Sequence, residues 1–126
     1  MSSRFPIVLV LSAAAAMAIA TPAMAAMSVA TFLARAEPLR ANPLMALTSP
    51  DYPVLKAEAA TATHQLRAEG EARRVAGKTP VVCIPEGQSI GIMEMLDGLA
   101  ALSPAEKRLP LKDGYAHVLA RTYPCH

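Results

Sequence analysis

The chain has 126 residues, 53% of them apolar, with 11 prolines, two cysteines, no tryptophan and a formal charge of +2. That balance excludes a multidomain enzyme, a disulfide-dense miniprotein and a low-complexity or strongly charged disordered chain. It leaves a membrane protein open until the apolar residues are located.

Met1–Ala25 has the three parts of a secretory signal: basic Arg4, an apolar run from Ile7 to Ile19, and the small-residue site Ala23-Met24-Ala25. A helix over that run rises only about 20 Å, too little for a hydrocarbon core of roughly 30 Å. Cleavage after Ala25 is expected, leaving Ala26–His126 as an exported, periplasmic chain with no stable membrane anchor. Without Arg4 the charge becomes 12 − 1 − 10 = +1, with acids and bases interleaved. That distribution offers no footprint for nucleic acid or anionic lipid.

The remainder reads as helical. Ser28 can cap a helix over Ala26–Arg40, where Val29, Phe32, Leu33 and Ala36 recur at helical spacing and Pro38 disfavours continuation. Leu44, Met45 and Leu47, between Pro43 and Pro50, read as a short helical turn packed under the longer elements. Asp51–Ala76 is the longest helix, with Pro53 in its first turn and Gly77 at its C-terminal cap. Leu55, Ala59, Ala62 and Leu66 form a narrow apolar seam that invites a second helix, and Glu69 can pair with Arg73 at i,i+4.

Val81-Val82-Cys83-Ile84 is the one β-like run, and a single run cannot make a sheet. It reads as an extended connector turned by Pro85-Glu86-Gly87. Ser89 is expected to cap a helix whose broad apolar face carries Ile90, Met93, Leu96, Leu99 and Ala100, with Met93 and Met95 as core filler. Ser103-Pro104-Ala105-Glu106 is a capping box that starts a short helix ended by Pro110. The last helix, Leu111–Thr122, places Leu111, Tyr115, Val118 and Leu119 on one face. The expected fold is all-α: a single small helical domain of five or six helices.

Cys83 and Cys125 allow only one intramolecular pairing, and export places them where thiols oxidise. A Cys83–Cys125 disulfide is expected. The rival, a nucleophilic thiol paired with His117 or His126, needs a cysteine kept reduced.

Chemistry-bearing patterns are sparse. His64, His117 and His126 have no metal-ligand spacing, and no cofactor motif occurs. Glu94 and Asp97 could share a helix face, but surface solvation accounts for them. Gly87-Gln88-Ser89-Ile90-Gly91 matches the nucleophile-elbow string literally, yet that elbow needs a preceding strand inside an α/β sheet. The expectation is a protein that is not an enzyme, with no catalytic residue, cofactor or metal site.

Cys83-Ile84-Pro85-Glu86-Gly87, then Ser103-Pro104-Ala105-Glu106-Lys107-Arg108-Leu109-Pro110, then a helix ending Tyr123-Pro124-Cys125, make a recognisable series. Over Val81–Cys125 it resembles the Rap/Tai family of small periplasmic immunity proteins, which protect bacteria from peptidoglycan amidase effectors delivered by type VI secretion. The resemblance implies an exported, all-helical, disulfide-stapled and often dimeric protein whose partner is a cell-wall amidase. It also implies a contact surface on the loops Pro85–Ser89 and Leu102–Lys112, with Pro85, Glu86, Gly87, Gln88, Lys107 and Arg108 as the candidate partner-binding residues. The N-terminal half departs from that family, which often carries two further cysteines there. It is more similar to small uncharacterised exported alphaproteobacterial proteins sharing Phe32-Leu33-Ala34-Arg35-Ala36 and the terminal Tyr-Pro-Cys. A structural or regulatory envelope protein that self-associates through the alanine seam is the alternative expectation.

Overall fold

A computed structural model describes residues 26–125; the expected signal peptide, its cleavage site and His126 lie outside them. The order is α1 (Val29–Ala41), α2 (Pro43–Ala46), α3 (Asp51–Val75), α4 (Ile92–Ala100), a 3-10 turn (Glu106–Arg108) and α5 (Leu111–Thr122). Among the described residues there is no strand, and no helix is long and apolar enough to cross a membrane. The protein is a small all-α domain with one disulfide.

α1 begins where its sequence signal lies: the Ser28 hydroxyl accepts from the Thr31 N–H at 3.1 Å, satisfying one of the first-turn donors that a helix leaves unpaired. Its other end corrects the sequence reading. Pro38 lies inside the helix, which runs on to Ala41 although proline removes a donor and disfavours helical geometry in the preceding residue. Tertiary contacts outweigh that cost. Val29, Phe32 and Ala36 are buried, Leu39 packs beside them, and Arg40, beyond the proline, pairs with Asp97 of α4.

α2 forms as one turn, but its apolar residues do not pack beneath the longer helices. Leu44 and Leu47 keep 80% and 82% of their area exposed, and Met45 is also exposed. Prolines at 43 and 50 hold this segment to a single helical turn, which leaves it too short to fold both faces inward.

α3 ends in the αL cap that Gly77 promised. Gly77 has φ 68°, its N–H donates to the Arg74 carbonyl, and the Lys78 N–H reaches back to the Arg73 carbonyl at 2.9 Å. These two bonds are the Schellman pair. The seam faces inward: Leu55 and Ala62 are buried, with Ala59 and Leu66 packed beside them. Glu69 does not pair with Arg73. It binds Lys112 of α5, while Arg73 donates to the Thr79 carbonyl through Nε at 3.0 Å and Nη2 at 2.7 Å. A cross-helix partner and a loop carbonyl took the two groups that the i,i+4 rule would join.

α4 starts two residues later than Ser89 predicts. Gly91 is its N-cap, and the Gly91 N–H donates to the Glu94 carboxylate at 3.4 Å. The discriminating signal was the acid three residues on: Ser89 has Ile92 there, Gly91 has Glu94. The buried face is consequently Met95, Leu96 and Leu99, whereas Met93 and Ala100 are exposed and Ile90 packs from the preceding segment.

The capping box at Ser103 forms both of its bonds, Ser103 N–H to Glu106 and Glu106 N–H to the Ser103 hydroxyl, each 3.2 Å. Only a 3-10 turn follows, because Pro110 drives Leu109 to an extended ψ of 154°. That strand-like dipeptide pairs with the start of α1: Val29 N–H donates to the Leu109 carbonyl, and Leu111 N–H to the Met27 carbonyl at 2.8 Å. α5 then buries Leu111, Tyr115, Val118 and Leu119 as its periodicity requires.

Candidate interaction surface

Residues 79–91 form an irregular connector laid along α3 and α5. Val82 and Ile90 are the side chains that pack it onto the core, while Val81 and Ile84 stay exposed. Two bonds fasten its centre to the end of α5. The Cys83 N–H donates to the Tyr123 carbonyl at 3.0 Å, and Cys83 is disulfide-bonded to Cys125 with the Cα atoms 5.0 Å apart. The expected pairing is therefore present.

Beyond Cys83 the chain turns at Pro85–Gln88. The Gln88 N–H donates to the Pro85 carbonyl at 3.1 Å, and Gly87 takes φ 76°, the left-handed value that the third residue of a type II turn requires. Pro85, Glu86, Gly87 and Gln88 are all exposed. Lys107 and Arg108 sit on the 3-10 turn, Arg108 exposed and Lys107 half-buried. No hydrogen bond or ion pair joins the two segments among the described residues. What they share is their anchor. The 3-10 turn is clamped by Glu106, whose carboxylate accepts from Arg121 Nη2 at 2.9 and 3.1 Å and lies 3.5 Å from His117 Nδ1. Both loops are thus tied to the C-terminal half of α5.

Between the connector, α3 and α5 lies a cavity of about 540 Å³ whose lining includes Leu66, Arg67, Arg73, Ser89, Tyr115 and Leu119. Burial pushes the Tyr115 hydroxyl up from its ordinary pKa, and the nearby Arg67 charge partly counteracts it. Ser89 is an exposed loop residue, neither the helix cap expected of it nor the apex of a strand-to-helix elbow. Glu94 caps α4 and Asp97 holds Arg40, so the two carboxylates serve structure separately. His64 and His117 are exposed, and among the described residues no group of three or more His, Cys, Asp or Glu could hold a metal ion.

The Glu106 clamp gives a pH signature. The Arg121 guanidinium, followed by the Ser103 N–H, holds the Glu106 carboxyl below the ordinary carboxylate range. A carboxyl depressed in the folded state stabilises above its unfolded pKa, about 4.3. That contribution is lost as pH falls through the lower folded value. Glu106→Gln is expected to flatten the fall in Tm between about pH 5 and about pH 3. Glu71, lowered by its hydrogen bond and ion pair with Arg74 on the surface of α3, contributes to the slope that persists. An unchanged acid limb in thermal melts would sink the assignment.

Sequence reasoning missed Arg121 as the clamp, Lys112 as the partner of Glu69, and Gly98 and Gly114 as close-approach positions. For the glycines a signal existed: Gly114 falls on the Leu111-Tyr115-Val118 stripe, and Gly98 lies three residues after Met95. Comparison with protein-family models, curated proteins and solved structures gives no match.

Proposed function

We propose that this protein is an exported binding module, and that its partner is a cell-wall amidase effector which it neutralises in the manner of an immunity protein. The observation that carries the reading is the anchoring of two surface loops, Pro85–Gln88 and Lys107-Arg108, to one helix end by a disulfide and the Arg121–Glu106 ion pair. Recognition residues concentrate on loops held by a rigid scaffold, because a preorganised loop loses little entropy on binding. The resemblance over Val81–Cys125 supplies the partner class. Periplasmic localisation accompanies it, since both the leader-like segment and the bonded cysteines suit an oxidising compartment.

The test is inhibition of peptidoglycan hydrolysis by amidase effectors from gene neighbourhoods that carry this chain. Saturable inhibition at one-to-one stoichiometry is expected. A Glu86→Lys, Gln88→Ala, Lys107→Glu, Arg108→Glu variant should lose about thirtyfold in affinity at unchanged Tm, the scale of removing a binding hot spot. Amidases that proceed at full rate with excess protein present would refute the reading.

A second reading, a structural or regulatory envelope protein acting through self-association, rests on a different face from the one expected. The alanine seam is already packed within the chain, whereas Leu44 of α2 and Leu47 just after it are exposed. Sedimentation that reports a concentration-independent monomer removes it.

A further inference from the structure

A second concavity, on different residues, lies between α1, α2, α3 and α4. Its volume is about 490 Å³, and none of the loop residues discussed above lines it. Phe32, Leu55 and Leu96 form a buried floor, while Tyr52, Ile92 and Met93 stand exposed at the rim. Apart from the Tyr52 hydroxyl, its polar side chains are Arg40 and Lys56, both cationic. Arg40 is paired with Asp97, and Lys56 has no ion pair among the described residues.

We propose that this groove binds a single-chain fatty acid, its hydrocarbon on the Phe32-Leu55-Leu96 floor and its carboxylate at Lys56, with Arg40 beside it. Three observations converge. The volume falls in the range of about 300–1,000 Å³ typical of small-ligand sites. The lining has no side-chain amide or carboxylate to meet a peptide's polar groups, and its one charge without an ion pair among the described residues, Lys56, is cationic, which suits an otherwise featureless anionic chain. The exposed, flexible Met93 can adjust to the ligand's length.

Calorimetric titration of the purified, disulfide-bonded protein with octanoate, decanoate and dodecanoate below their micellar concentrations tests this. Affinity is expected to rise up to about fourfold per added methylene until the groove is filled. Dodecanol should bind more weakly than dodecanoate. Lys56→Gln should weaken dodecanoate about two- to fivefold, the worth of an exposed ion pair. Ile92→Glu, at the exposed rim, should weaken it further, and both variants should keep the parental Tm. Absence of saturable binding, affinity independent of chain length, or equal binding of dodecanol and dodecanoate overturns the proposal. So does a protein partner that covers Ile92 and Met93 while fatty acids do not bind.

Discussion

Replacing Cys83 and Cys125 together by alanine is expected to lower the unfolding free energy by about 4 kcal/mol, the largest effect of any change outside the core. The bond closes a sequence separation of 42 residues, and in the chain-entropy model a loop of that size contributes about this much by restricting the unfolded chain. Domains of this size are stable by about 5–15 kcal/mol, so the loss is a large fraction of the total. At about 4–8 °C per kcal/mol, Tm should fall by roughly 15–30 °C. The folded state is affected too. Residues 79–91 contribute only Val82 and Ile90 to the core, so without the bond the Cys83-to-Tyr123 hydrogen bond becomes the connector's main tie to α5. Hydrogen exchange at that N–H should accelerate while the helix signal persists. A Tm change of less than a few degrees in the double variant, or in the reduced parent, would show that the connector is held by packing alone.

The helices were legible where one strong local signal coincided with a buried face. Ser28, the Leu111-Tyr115-Val118-Leu119 stripe and Gly77 each act within a turn of where they stand, and each appears in the fold as read. Boundaries failed where two local signals competed. Ser89 and Gly91 both suit a cap, and the Glu94 carboxylate decided for Gly91. Pro38 argued for a stop, but Phe32, Ala36 and Leu39 had a core to pack against and Arg40 had Asp97 across the groove. The capping box at Ser103 made its bonds and still yielded one turn, because Pro110 left no room for a second. In α2 the reading failed for another reason: apolar character says that Leu44 and Leu47 gain by burial, not that the fold offers a place for them.

The candidate surface was legible in part. The cysteine pairing followed from the count and from the expectation of export, and the Pro85-Glu86-Gly87 turn from the conformational needs of proline and glycine. The clamp of Arg121 on Glu106 was not legible, because it joins residues 15 apart whose juxtaposition depends on how the 3-10 turn lies against α5. The fatty-acid groove was equally hidden. Its lining comes from four helices, and Met93 reads as core filler, whereas α4 buries Met95, Leu96 and Leu99 and leaves Met93 at the rim.

Three glycine-to-alanine substitutions should separate local propensity from tertiary packing. Gly70, Gly98 and Gly114 all lie within helices, where alanine is intrinsically better by roughly 0.5–1 kcal/mol. At Gly70 a Cβ meets nothing within 4 Å, so Gly70→Ala should stabilise by about that amount. At Gly98 it would run into the Val118 side chain well inside van der Waals contact. At Gly114 it would do the same with Val29 and also touch Leu102 at 3.4 Å. Neither valine can yield cheaply. Both are β-branched and stiff at χ1, Val29 has no exposed area and Val118 only 4%, so movement must displace core neighbours. Overpacking of this kind costs about 1–3 kcal/mol per site, which exceeds the propensity gain. The two sites share no partner, so with about 2 kcal/mol lost and about 0.75 kcal/mol gained at each, Gly98→Ala with Gly114→Ala should sum to a net loss of about 2–3 kcal/mol. Adding Val29→Ala to Gly114→Ala should recover less than the clash costs, because the alanine leaves its own cavity at a fully buried position. Denaturant melts of the three single variants give the decisive comparison. If Gly114→Ala and Gly70→Ala shift the midpoint in the same direction, the close approach of α5 to the start of α1 is not tight enough to require glycine.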